Sequence, residues 1–132
     1  MIGSVRHHIR IEQSADVVWA LAGDPTRLHE WFPGVVSCTV DGDQRVIITG
    51  TGMPMPEQIL VKDDVQRRFQ YRVTAPLFTY HRGTIDVIDL GDGSSLVVYS
   101  TDADPRTMAL VIAGGAAGAL DELKRQMESA SR

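Results

Sequence analysis

Apolar and polar residues alternate over residues 4–12, with Val5, His7, Ile9 and Ile11 on one side and Ser4, Arg6, His8, Arg10 and Glu12 on the other. A period of two predicts a half-buried strand. Residues 14–34 lose that alternation and predict two short helices, the second capped by Asp24 with Pro25 at its first position. Strands then follow at 35–40 and 45–49 around the turn Asp41-Gly42-Asp43-Gln44. Two glycines and two prolines in 50–56 predict a break in pairing before a strand at 57–62. Further strands are expected at 67–75, 80–90 and 94–101, the last two joined by Gly91-Asp92-Gly93. Asp104-Pro105 opens a closing helix that runs to about residue 129. Strands linked mostly by short turns imply one antiparallel sheet.

In the closing helix, Met108, Ile112, Gly115, Ala119, Leu123 and Met127 follow three- and four-residue spacing and form one stripe. Its ends are large and its middle is small, so a helix seated on a sheet would leave space at Gly115, Ala116 and Ala119. Gly114, Gly115 and Gly118 each cost roughly 1 kcal/mol of helix propensity against Ala, which some packing or functional need must offset. Close helix-on-sheet packing without a void is a second reading of the same residues. A third makes Gly114, Gly118 and the outward Leu110 a contact between two copies, so a homodimer stays open.

The 132-residue length fits a single domain over 1–132, with 43% hydrophobic and 23% charged residues. A formal charge of −4 argues against nucleic acid as a partner, and the local cluster Arg67, Arg68 and Arg72 is too small to reverse it. The longest apolar run, residues 108–120, is 13 residues, short of the roughly 18 needed to cross a bilayer, so no membrane insertion is expected. One cysteine, Cys38, and no leader pattern point to a cytoplasmic protein. His7, His8, His29 and His81 show no metal-ligand spacing, and no cofactor fingerprint is present; neither metal nor cofactor is expected.

The order Ser14-Ala15-Asp16, Val18-Trp19, Asp24-Pro25 and Trp31-Phe32-Pro33-Gly34, set between one strand and a run of strands with a final helix, resembles the START/polyketide cyclase-dehydratase superfamily. The resemblance covers nearly the whole chain and rests on order and spacing. It implies an α+β helix-grip fold: a seven-stranded curved antiparallel sheet around a long C-terminal helix, with two short helices between strands 1 and 2. Three features also look like the plant abscisic-acid receptors of that superfamily. Thr51-Gly52-Met53-Pro54 resembles their gate loop, Glu57 falls at the spacing of their cavity glutamate, and 75–80 occupies the place of their second entrance loop. The likeness implies that Met53, Met55, Leu77 and Phe78 flank a mouth, and that Glu57, Tyr71, Tyr80 and Arg82 face inside. Strand 35–40 has no lysine to hold the hormone's carboxylate, so hormone reception is not implied.

Phe69, Tyr71 and Val73 share a face and are expected on the sheet interior, where a tyrosine hydroxyl needs a ligand or side-chain partner. Strand 80–90 offers two faces. Periodicity favours His81, Gly83, Ile85 and Val87 as interior. The family register favours Tyr80, Arg82, Thr84, Asp86 and Ile88, and the expectation follows the family, with Arg82 seeking a ligand carboxylate or Glu57. Trp31 and Phe32 are expected to fix the short helices against the sheet. The expected ligand-binding set is Met53, Met55, Glu57, Phe69, Tyr71, Leu77, Phe78, Tyr80, Arg82, Met108, Ile112 and Gly115, with no catalytic residue assigned. The expected function is binding of a hydrophobic or amphipathic small molecule (lipid, polyketide or isoprenoid-like) in an internal cavity. A polyketide cyclase/dehydratase-like enzyme using a tyrosine or Arg82 on a carbonyl and His81 or Glu57 as base is one alternative. A regulatory protein-interaction domain is the other.

Overall fold

The computed structural model describes residues 1–129. Its elements run β1 (Gly3–Ile11), α1 (Ala15–Ala22), a 3-10 turn (Leu28–Glu30), β2 (Val35–Asp41), β3 (Gln44–Thr49), β4 (Pro54–Asp63), β5 (Arg68–Val73), β6 (Tyr80–Asp89), β7 (Ser95–Asp104) and α2 (Arg106–Ser129). The seven strands pair antiparallel in the order β1-β7-β6-β5-β4-β3-β2. Every neighbouring pair except β1–β7 is consecutive in sequence, as short turns require. The register slips between Val35 and Ser37 and between Ile59 and Val61, and such irregularities bend a strand. One sheet face carries Ile11, Ile47, Phe69, Tyr71, Ile85, Val87, Val97 and Tyr99, and α1, Trp31 and α2 cover it. This is the helix-grip arrangement expected.

Three local expectations change. The segment after α1 is a turn rather than a second α-helix. Asp24 Oδ1 accepts from the Thr26 amide at 2.9 Å and from Thr26 Oγ1 at 2.6 Å, so its carboxylate closes an Asx turn instead of capping a helix. Secondly, Pro54 and Pro56 lie inside β4, opposite Ile48 and Val46 of β3. The Pro56 carbonyl accepts from Thr74 just beyond the end of β5, so the proline nitrogens face a side where no ladder donor is needed. Thirdly, the buried stripe of α2 is Ala109, Ala113, Ala116, Ala119, Leu120 and Leu123, with Met108, Ile112 and Met127 only half-buried. Methyl-sized residues let this helix lie close on β1 and β7, and that fit sets its rotation.

The interior face of β6 is also the opposite of the one expected. His81, Gly83, Ile85 and Val87 are buried, while Tyr80 is 41% exposed. Pairing decides this: Tyr71 stands opposite Gly83 and Phe69 opposite Ile85, so an inward β5 face brings the odd-numbered face of β6 with it. Gly83 is required there by contact. A Cβ built on it would meet Tyr71 Cζ at 2.4 Å, so the ring lies against bare backbone. Gly83→Ala is therefore expected to displace Tyr71 and lower stability by about 1–3 kcal/mol, the usual cost of overpacking. Urea unfolding checks it, with Gly50→Ala in an exposed turn, where a Cβ would meet nothing closer than 3.9 Å, as the control for backbone effects.

Candidate functional site

A cavity of about 310 Å³ lies between the sheet and the middle of α2. Tyr71, Val73, His81 and Tyr99 form its floor on β5, β6 and β7; Ile47, Thr49, Met55 and Glu57 form a side on β3 and β4. Leu28, Phe32, Val35, Val111, Ile112 and Gly115 close it from above. The wall is largely apolar, with Glu57, Tyr71, His81 and Tyr99 grouped at one end and Thr49 apart from them on β3. Gly115 contributes by being small: a Cβ there would stand 3.2 Å from Phe32 Cζ. Phe32 thus takes up room the glycine leaves, and joins the wall as well as packing on Trp31 and Tyr99.

At the polar end, Arg45 of β3 and Glu57 of β4 are directly opposed across the ladder, and both are buried. Arg45 Nε donates to Glu57 Oε1 at 2.8 Å, and Nη2 lies 2.7 Å from the same oxygen. Nη1 donates to the Pro25 carbonyl at 3.3 Å. The guanidinium sits 5.1 Å from the ring centres of both Phe69 and Tyr71, a cation–π arrangement that replaces part of its lost hydration. Burial works against the Arg45 cation, but Glu57 and the neighbouring tyrosines outweigh it and raise its pKa. Burial also raises the Glu57 pKa from its ordinary value, with Arg45 opposing the shift.

Two further groups complete this end. The Tyr71 and Tyr99 hydroxyls share a hydrogen bond of 2.6 Å. Burial pushes both phenols up, Tyr99 to about 12, so both remain protonated at neutral pH. His81 Nδ1 accepts the Val73 backbone N–H at 2.9 Å, and its Nε2 has no hydrogen-bond partner among the described residues. Burial lowers the His81 pKa to about 4, against a smaller opposing pull from Asp102. The ring is neutral at pH 7, and its accepting Nδ1 fixes the proton on Nε2.

Of the expected site residues, Met55, Glu57, Tyr71, Ile112 and Gly115 line the cavity. Phe69 is buried next to it, under Arg45, and takes no part in the wall. Phe78 is half-buried with its ring 5.0 Å from His81, behind the lining. Met53 and Leu77 are exposed and outside the lining, and Met108 lies half-buried one turn before Ile112. Tyr80 and Arg82 belong to the other face of β6, because the pairing with β5 turns that face away from the cavity. Arg45 and Tyr99 were not anticipated. Alternation in β3 favours Val46 and Ile48 as interior, yet Arg45 and Ile47 are the buried pair. The usable signal was the hairpin register, which sets Arg45 opposite Glu57. Cys38 is half-buried with its sulfur 3.2 Å from His29 Nδ1.

The chain belongs to the polyketide cyclase/dehydrase and lipid transport family, whose model matches residues 3–128. Solved structures of the same fold include the protein XoxI from Bacillus cereus, with 21% identity, 98% of this chain and 99% of that chain covered, and a TM-score of 0.90. Another is the Zhui aromatase/cyclase of a Streptomyces species, with 17% identity, 100% and 97% coverage, and a TM-score of 0.79. A norcoclaurine synthase point mutant of Thalictrum flavum, in complex with a transition-state analogue, aligns at 17% identity over 100% and 98% of the two chains, with a TM-score of 0.78. No curated protein matches the chain. Among the described residues no helix is long and apolar enough to cross a membrane.

Two outcomes follow from the polar end. Arg45→Met leaves Glu57 buried without its cation and should cost about 3–5 kcal/mol, whereas the double variant Arg45→Met, Glu57→Leu should recover most of it. Chemical denaturation of the three proteins at pH 7 measures both. The second outcome concerns pH. The folded-state pKa of His81 is lowered, so its contribution is complete above about pH 6.5 and is lost as pH falls towards 4. That loss is about 3 kcal/mol at a full unit-by-unit conversion. His81→Asn keeps an acceptor for Val73 and should lack this slope, so the stability gap between wild type and variant narrows from pH 7 to pH 4. A constant gap would remove the buried neutral imidazole from the account.

Proposed function

We propose that the chain binds a hydrophobic or amphipathic small molecule, of lipid, polyketide or isoprenoid-like type, in this cavity. Membership of a cyclase, dehydrase and lipid transport family supports the reading. The observation that carries it is the division of the wall: apolar side chains from β3, β4 and α2 on most of its area, with Glu57, Tyr71, His81 and Tyr99 at one end. Burying ligand surface at about 25 cal/mol per Å² supplies affinity, and a few fixed polar groups supply orientation.

A cyclase- or dehydratase-like reaction in the same cavity is the second reading. The raised Glu57 pKa is the observation in its favour, since it moves a cavity carboxyl towards neutrality. The other groups oppose it. An imidazole with a pKa of about 4 is a weak base, and phenols raised by burial, Tyr99 to about 12 and Tyr71 well above its usual value, are weak acids. Binding is therefore the better-supported role.

The test is occupancy. An apolar fluorescent probe such as anilinonaphthalene sulfonamide should bind the folded protein, and Ile112→Trp, which fills the cavity from α2, should weaken it at least tenfold. Ile112 is only half-buried, so the melting temperature should hardly move. Equal probe affinity in the two proteins would place the ligand elsewhere. Native mass spectrometry of protein from its own host then looks for a retained compound.

A further inference from the structure

Resting on that reading, we infer that the ligand is a compact, uncharged molecule whose carbonyl oxygen accepts a hydrogen bond from His81 Nε2. Every charge at the polar end is already matched. Arg45 is the only cation there among the described residues, and Glu57 pairs with it, accepting from Nε at 2.8 Å and lying 2.7 Å from Nη2, which itself has no hydrogen-bond partner among the described residues. A ligand carboxylate would have to displace Glu57 from Arg45, or else lie beside a second buried anion. The end is therefore a poor receptor for fatty acids and other anions.

What it does offer is donors. His81 is 5% exposed, lines the cavity, and has its Nδ1 committed to Val73. Its Nε2–H has no acceptor among the described residues. One of Tyr71 and Tyr99 donates to the other, and the accepting phenol has no second bond among the described residues, which leaves it one O–H to give. The Tyr71 and His81 rings are 5.7 Å apart, so the imidazole and the phenol pair are neighbours on the cavity floor. A buried donor left unmatched is costly, and a carbonyl with two lone pairs answers both. The cavity, about 310 Å³, lies near the lower limit of ordinary ligand pockets and selects a fused-ring or short-chain ketone over a long acyl chain.

A matched series tests this: acetylnaphthalene, naphthoate and ethylnaphthalene share one ring system and differ only in the polar group. Calorimetric titration of the full chain at pH 7 should rank the ketone about five- to tenfold tighter than the hydrocarbon, the worth of one buried hydrogen bond. Naphthoate should bind weakest. In His81→Asn the preference of ketone over hydrocarbon should fall to near one, because the shorter side chain keeps the bond to Val73 and gives up the distal donor. In wild type, the ketone alone should shift the His81 Nε2 resonance in nitrogen-detected NMR, a readout that survives if the variant folds poorly. Naphthoate binding tightest, or an unchanged preference in the variant, overturns the carbonyl inference while leaving a hydrophobic cavity in place. Failure of all three compounds to bind removes the cavity reading itself.

Discussion

The buried pair of Arg45 and Glu57 is the constraint on which the rest of the arrangement depends. Taking two ions out of water costs several kcal/mol each after relaxation, so the pair persists only with its geometry fully supported. Support comes from four directions: the 2.8 Å bond across the β3–β4 ladder, the Pro25 carbonyl, and the faces of Phe69 and Tyr71. These contacts tie the turn after α1, two adjacent strands and the floor of the cavity to a single point. Tyr71 is in turn held to the backbone of Gly83 and to the hydroxyl of Tyr99. A stability requirement thus fixes the orientation of the groups that a ligand would meet.

Much of this architecture was legible because period-two alternation is a strong signal where one face of a strand is buried. In β7 the exposure alternates without a break from Ser95 to Asp104, and β1 keeps the same rhythm. The sheet, its hairpins and the long final helix follow from that pattern and from the turn residues. The failures are equally physical. Asp24 can cap a helix or close an Asx turn, and only the downstream Thr26 contacts separate the two. Pro54 and Pro56 look like strand breakers until the end of β5 is known, since a missing donor costs little where the partner strand has ended. The face of β6 was decided by its neighbour across the ladder, and the single-strand pattern of His81, Gly83, Ile85 and Val87 was the better guide.

The site was harder to read than the fold because its polar members break the rule that locates a core. Arg45 sits where alternation would put an aliphatic residue, while Val46 beside it is 38% exposed. No local pattern marks such a position; the register of one hairpin with the next does. Likewise α2 places alanines, rather than its larger Met108 and Ile112, against β1 and β7. That rotation turns Ile112 and Gly115 towards the cavity and lets Phe32 lie against Gly115. The hollow therefore comes from the angle at which a close-packed helix leaves the sheet, and not from small residues facing empty space.

Shared folds at 17–21% identity carry no chemistry by themselves, so the role of this cavity has to be argued from its own side chains. A site built for proton transfer would bring its groups towards the working pH. Here burial drives the imidazole down and the phenols up, away from neutrality on both sides. The same burial that spoils them as acids and bases keeps the imidazole neutral and the phenols protonated, in a place where water competes poorly for their hydrogens. On the inference drawn above, a neutral imidazole held by Val73 and a phenol held by its partner would recognise shape and a lone pair rather than charge. Glu57 adds a negative charge that would disfavour an anionic ligand. Such selection against charge, with Arg45 spent on an internal partner, would be a property of the pair and not of the fold around it.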